Sequence, residues 1–427
     1  MRKPWLKSLA PYSLLALVGV SAALAAVVAL AEPSAARDKF VVHEWGTFLS
    51  VQGSDGVTIG GMVDSEEDLP PFVCQRELNG LSRARMGQKM ETPVTYFYSD
   101  RPRQVSVKVA MPKGLLTHWF PSVQAFGPPR GGIKAAVEAG SFLDWGQFDV
   151  IPDARPPVSR DAPGQTQPSK PKLCRVREDS TWRFARETDA ALVKLPAGDY
   201  HEKFLFYRGL GSFDLPLEVR ASGSDDGLRL TLRNRDEDPL RGLFAIWVER
   251  ATIRFAALGD LAGRAARALD LATEIGVRLP PEDGVPQVKE AVTAALVEAG
   301  LYEKEARAMV NTWEKSYFRT EGLRLLSILP RPAVDAVIPI QVSPAPSEIV
   351  RVMVGRVEVL TPDMERRIEE QLSRIDATDP KARAAAVSEL DRLGRLKEPV
   401  LRRVLATTRV GDVRTQVEKL VAKAATE

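Results

Sequence analysis

The sequence predicts an α+β protein: a β-rich, sandwich-like body, an inserted helical hairpin region and a small C-terminal HEAT-like helical tail. Three observations carry this. Between residues 38 and 257, aromatic and β-branched residues gather in short runs separated by turn signals. From 258 to 320 the apolar spacing shifts to three and four residues. Strand-like runs return over 321–360, and residues 361–427 then read as short amphipathic helices.

The first 31 residues stand apart from this body. Arg2, Lys3 and Lys7 make a basic start, Leu14–Ala31 is uncharged and apolar, and Ala29-Leu30-Ala31 has the small-x-small form that signal peptidases cut. Cleavage after Ala31 is one expectation. The run is also near the roughly 20 residues that span a bilayer, so retention of residues 14–31 as an anchor is the other. Either way the body is expected outside the cytoplasm, in the periplasm or beyond, with the basic end inside. No second long apolar run follows, so membrane contact is expected only through this segment.

The body opens with Phe40–Phe48, rich in aromatic and β-branched residues, and Val94–Tyr98 is similar. Val105, Val107 and Val109 alternate with polar partners, as a half-buried strand does. Lys203–Arg208 is another strand, closed by Gly209. Leu217–Arg220 and Leu228–Leu232 flank Asp225-Asp226-Gly227, a hairpin signal because glycine takes positive φ at little cost. Residues 151–172 interrupt the pattern with six prolines and few apolar residues, which suits a surface loop.

Leu258–Ile275 is alanine-rich and reads as helical. Val288, Val292 and Leu296 before Gly300, and Ala306, Met309, Val310, Trp313 and Tyr317 after it, define two helices joined by a short turn. Strand character returns at Gly322–Leu329, Ala336–Val342 and Ile349–Leu360. Thr361-Pro362 supplies an N-cap and a first helical residue. The stripe Met364, Ile368, Leu372 and Ile375 follows, then shorter helices whose Val400, Leu401, Val417 and Leu420 are expected to dock on the body, since one such unit cannot bury its own face.

Lysine and arginine total 59 against 56 aspartates and glutamates, so the net charge of +3 gives no basic footprint for nucleic acid. Cys74 and Cys174 are the two cysteines. An oxidising compartment allows a disulfide between them, and two separate buried thiols is the alternative.

Several segments resemble a family of uncharacterised exported bacterial proteins. They are Val42-His43-Glu44-Trp45-Gly46-Thr47-Phe48 with Ser54-Asp55-Gly56, then Asp68–Val73, Lys89–Pro93, Ala185–Ala190, Glu202–Gly209 and Arg351–Arg356. The resemblance covers residues 40–362 and implies export. It brings no catalytic residue with it.

The three histidines, His43, His118 and His201, invite a metal reading, since His43-Glu44 and His201-Glu202 pair imidazole with carboxylate. A zincin would need a second histidine four residues on, where Thr47 and Leu205 stand. Neighbours in a strand also face opposite ways. His43 is therefore expected to be a buried, hydrogen-bonded ring that serves the fold. Asp64-Ser65-Glu66-Glu67-Asp68 is expected to be a solvated acidic loop, with calcium binding as the less favoured reading. No nucleophile elbow, Walker loop or dinucleotide fingerprint occurs, and no cofactor is implied.

Arg186, Glu187, Asp189, Glu202, Lys203 and Arg208 are charges set among aromatic residues. They form a buried network or line a pocket. In the pocket, Glu202, Asp189 or His201 would be the acid or base and Arg186 and Arg208 would bind substrate. The favoured function is a non-catalytic binding or structural module of the cell envelope, with an envelope partner or a surface polymer as ligand. The alternative is an envelope hydrolase whose Glu, Asp or His site is assembled across strands, with or without a metal. N-terminal sequencing of the mature protein is expected to begin at Glu32; a full-length cytoplasmic product would overturn export.

Overall fold

The Phe40–Gln52 strand pairs in parallel with Glu348–Val359 on one side and antiparallel with Gln88–Ser99 on the other. All 13 of its residues are buried, because both faces of the sheet around it are covered. The computed structural model describes residues 39–62, 69–76, 86–128, 140–153, 172–196, 199–275, 277–374, 379–392, 415 and 418.

That strand is the centre of a nine-stranded sheet. From edge to edge the order is Thr252–Leu261, Leu240–Glu249, Gly322–Ile328, Glu348–Val359, Phe40–Gln52, Gln88–Ser99, Phe204–Gly211, Gly114–Phe120 and Cys74–Gln75. Alternate side chains divide between two cores. Phe40, Val42, Phe48, Leu205 and Tyr207 join Val105, Val107, Val109, Leu143 and Val150 of a seven-stranded sheet. Val219, Leu230, Leu232 and Leu269 of a three-stranded sheet complete this inner core. Trp45, Val94, Tyr96, Phe204 and Phe206 face the other way, onto Val288, Val292, Leu296, Met309 and Trp313 of the helices Pro281–Glu298 and Glu303–Trp313. The body is thus an α+β sandwich with a helical layer outside its large sheet.

Gly46 marks a register shift between Trp45 and Thr47. A Cβ there would lie 2.9 Å from Pro93 Cα, so a side chain is sterically barred where the proline breaks the ladder. At the strand's far end, the Gln52 amide donates to Leu217 O at 2.9 Å and accepts from Val219 N at 2.8 Å. It extends the ladder by one side chain into the three-stranded sheet.

Two expectations are corrected. Residues 258–275 are not a helix: Thr252–Leu261 and Ala266–Asp270 are strands, and only Leu271–Glu274 is helical. Alanine carries little preference against packing. Gly259 (φ 70°), near the end of the first strand, and Arg264 (φ 59°), between the two, take backbone angles that no helix allows. Ala336–Val342 is likewise split, with helix Arg331–Val337 before the short strand Ile340–Ser343. Of the returning strands at 321–360, Gly322–Ile328 and Glu348–Val359 sit inside the large sheet. From Phe40 onward the described residues belong to one compact unit, so the helical hairpin is not a separate domain.

The tail docks through its described part. Thr361 Oγ1 accepts from Met364 N, and Ile368, Leu372, Ala386 and Leu390 are buried. Arg367 reaches Asp225 at 3.3 Å and Arg392 reaches Glu321 at 3.0 Å. Val400, Leu401, Val417 and Leu420, and with them the HEAT-like character, lie outside the described residues, as do residues 1–31, Asp64–Asp68 and most of the proline-rich stretch.

Cys74 and Cys174 are unbonded. Cys74, on the edge strand of the large sheet, packs against the inner core, and Cys174 packs against the helix-side core. Both thiols are expected to react in the unfolded, unreduced protein; a single adduct or none would show that they pair.

Candidate functional site

Four of the stretches singled out in the sequence, Val42–Phe48, Lys89–Pro93, Phe204–Gly209 and Arg351–Arg356, lie on four neighbouring strands of the large sheet, which carry charged residues on both faces. On the inner face, Glu44 is fully buried. It accepts from Arg351 at 2.6 Å, from the Tyr207 hydroxyl at 2.5 Å and from the Thr95 hydroxyl at 3.2 Å. Arg351 also binds Asp335 at 2.6 Å and Ile338 O at 2.7 Å. Burial, and then the Glu44 charge, push the Tyr207 phenol well above its usual value. Burial would lower Arg351, but Glu44 and its other acceptors outweigh it and hold the guanidinium charged.

His43 points to the opposite face, as strand alternation requires. It is 1% exposed, and Nδ1 donates to Glu305 at 2.7 Å. The same carboxylate accepts from Tyr98 Oη at 2.8 Å and from Tyr302 N at 2.9 Å. Glu305 sits in the first turn of the Glu303–Trp313 helix, so one carboxylate satisfies a free helix N–H and ties that helix to two strands.

Farther along this face, Glu358 binds Arg356 at 2.8 Å and Arg324 at 3.1 Å. Glu91 lies 3.7 Å from Lys89 and accepts from Tyr317 Oη at 3.1 Å. Burial alone would raise Glu91, yet Lys89, Arg356 and Arg208 bring it below the usual carboxylate value.

Glu202 centres a fourth cluster. Arg186 grips it with two nitrogens, at 2.6 and 3.0 Å, and Trp182 Nε1 and Lys203 N donate at 3.2 and 2.9 Å. Lys203 Nζ turns to Asp153 at 2.5 Å and Ala190 O at 2.8 Å. Network is therefore the arrangement found for Glu202, Arg186 and Lys203. Asp189 lies apart on the surface, paired with Lys304 at 2.5 Å.

The remaining candidates do not converge. His118 lies opposite Arg208 in the large sheet, with Nδ1 3.2 Å from Thr117 Oγ1. His201 belongs to the seven-stranded sheet, opposite Lys194 and Leu173. Among the described residues no group of three His, Cys, Asp or Glu is placed to hold a metal ion. Arg208 is buried and lines a cleft of about 30 Å³ with Trp45, Trp182, Phe204, Phe206 and Thr312. That is room for a few water molecules.

Sequence reasoning missed Glu305 and the tyrosines around it. The available signal was a glutamate three residues after Tyr302 at a helix start. Nothing in the sequence pointed that carboxylate toward His43.

Replacing His43 by alanine is expected to leave Glu305 short of a donor. The loss should be about 1–3 kcal/mol in denaturant titration. An unchanged midpoint would mean that the pair contributes nothing to the fold.

No family model matches the chain, and no curated protein does. Among solved structures, it is similar to the Fcho1 Mu homology domain of Danio rerio with bound Eps15 peptide, at 6% identity and TM-score 0.28, over 75% of this chain and 97% of that one. It is also similar to the yeast delta-COP-I mu-homology domain complexed with Dsl1 WxWxV peptide, at 10% identity and TM-score 0.25, over 75% and 96% of the two chains. The same yeast domain in a second structure gives 9% identity and TM-score 0.25, again over 75% and 96%. These TM-scores are too low to mark a shared fold.

Proposed function

We propose that this chain is an exported, non-catalytic binding module of the cell envelope. One observation carries the reading. The buried carboxylates that could act as acid or base, Glu44, Glu202 and Glu305, each already hold three or more donors within hydrogen-bond reach. An acid or base must reach the proton that it moves, and these three groups are buried in the core at separate places. The basic start with its apolar run, and the resemblance of residues 40–362 to exported proteins, support the location. A core held by ion pairs suits a rigid scaffold that presents its surface to an envelope partner or a surface polymer.

The test is to incubate the mature protein with isolated envelope fractions and with a panel of ester, peptide and glycoside substrates. Co-sedimentation or cross-linking to an envelope component, without turnover, is expected. Turnover that disappears in Glu202→Gln would overturn the reading in favour of the hydrolase.

A further inference from the structure

Two helical pairs pack on this body, and they are held differently. Pro281–Glu298 and Glu303–Trp313 give Val288, Val292, Leu296, Met309 and Trp313 to the helix-side core. Pro362–Arg374 and Pro380–Arg392 pack on each other. Their buried Ile368, Leu372, Ala386 and Leu390 stand outside both cores of the body. Opening a contact of this kind leaves those cores intact, as a local opening below the global stability does.

Among the described residues, the printed ties from this second pair to the body are polar, and they run to three turns. Ser54, after the central strand, donates to Glu365 from its N–H at 3.1 Å and from its hydroxyl at 2.9 Å. Asp225, between two strands of the three-stranded sheet, accepts from Thr361 Oγ1 at 2.8 Å and from Arg367 at 3.3 Å. Its own N–H donates to Asp363 at 3.1 Å. Glu321, just before Gly322–Ile328, accepts from Arg392 at 3.0 Å. The Thr361 hydroxyl also accepts from Met364 N at 3.2 Å, so the cap that starts the helix is part of the tie.

Gln52 pairs with Val359, and Val359 with Leu323, so Ser54 and Glu321 lie at one end of the large sheet. The chain enters the helices from that same end. The four side chains of the Arg367–Asp225 and Arg392–Glu321 pairs are between 31% and 46% exposed. Ion pairs this open to water are individually weak, and salt screens them.

We propose that Pro362–Arg374 and Pro380–Arg392 are a charge-held clasp, which opens as ionic strength rises, pivoting where the chain leaves Glu348–Val359, while both cores stay closed. Closed, the clasp ties the three-stranded sheet to the end of the large one through Asp225, Ser54 and Glu321. Open, it bares those three turns together.

Hydrogen exchange of the full chain at about 0.05 M and about 1 M sodium chloride tests this. Amides of the two helices should exchange roughly tenfold faster at high salt, with those of Phe40–Gln52 and Glu303–Trp313 unchanged. Glu321→Arg and Arg392→Glu, each alone, should speed the same amides at low salt, and the two together should slow them again. If a single swap fails to fold, the salt titration of the unaltered protein decides. Helix amides that ignore salt, or that change only together with those of Phe40–Gln52, overturn the clasp. A folded double swap that leaves their exchange fast overturns it too.

Discussion

Glu44 and Arg351 are fully buried, 307 positions apart, on strands that run side by side in parallel. Removing two charges from water costs several kcal/mol per ion before any gain is counted. The cost is offset only because both ions are saturated: Glu44 by Tyr207 and Thr95, Arg351 by Asp335 and a main-chain carbonyl. A slip of one residue in either strand would turn one partner to the other face and leave the second charge alone in the core. The pair therefore fixes the register at the centre of the large sheet, and the seven-stranded sheet and the helical layer can pack only once that register is set.

The helical layer meets a similar constraint. After Trp313 the helix widens into a π-turn over Glu314–Arg319. Trp313 and Tyr317 then stack at 4.5 Å and 2°. Tyr317 covers the Arg356 guanidinium at 3.8 Å and sends its hydroxyl to Glu91, while its carbonyl accepts from Arg324. A π-turn costs backbone regularity, and such turns recur where a helix must place particular side chains. In this chain it seats one aromatic residue among three strands that all carry charge.

The strands were legible where one face differed from the other: Val105, Val107 and Val109 alternate because the core takes every second residue. Thr361-Pro362 also gave the helix start at its true place. Residues 258–275 were misleading because alanine suits either structure, and the deciding contacts belong to distant leucines of the inner core. The same limit governs the site. Glu202 and Arg186 could be recognised as charges among aromatics, but their union depends on the short Trp182–Ala185 helix beside the strand end. Glu305 could not be connected to His43 at all, since 262 residues separate them and only the packed helix brings them together.

The placement of Phe40–Gln52 also sets a schedule. This strand is made first among those of the body, yet its parallel neighbour Glu348–Val359 comes near the end. At roughly 5–20 residues per second of synthesis, Glu44 waits about 15–60 s for Arg351, 307 residues behind it. Throughout that interval the opening strand has an unfilled edge and an unneutralised carboxylate, so a native core cannot close around it. The large sheet can therefore be completed around its central strand only after Glu348–Val359 has been made.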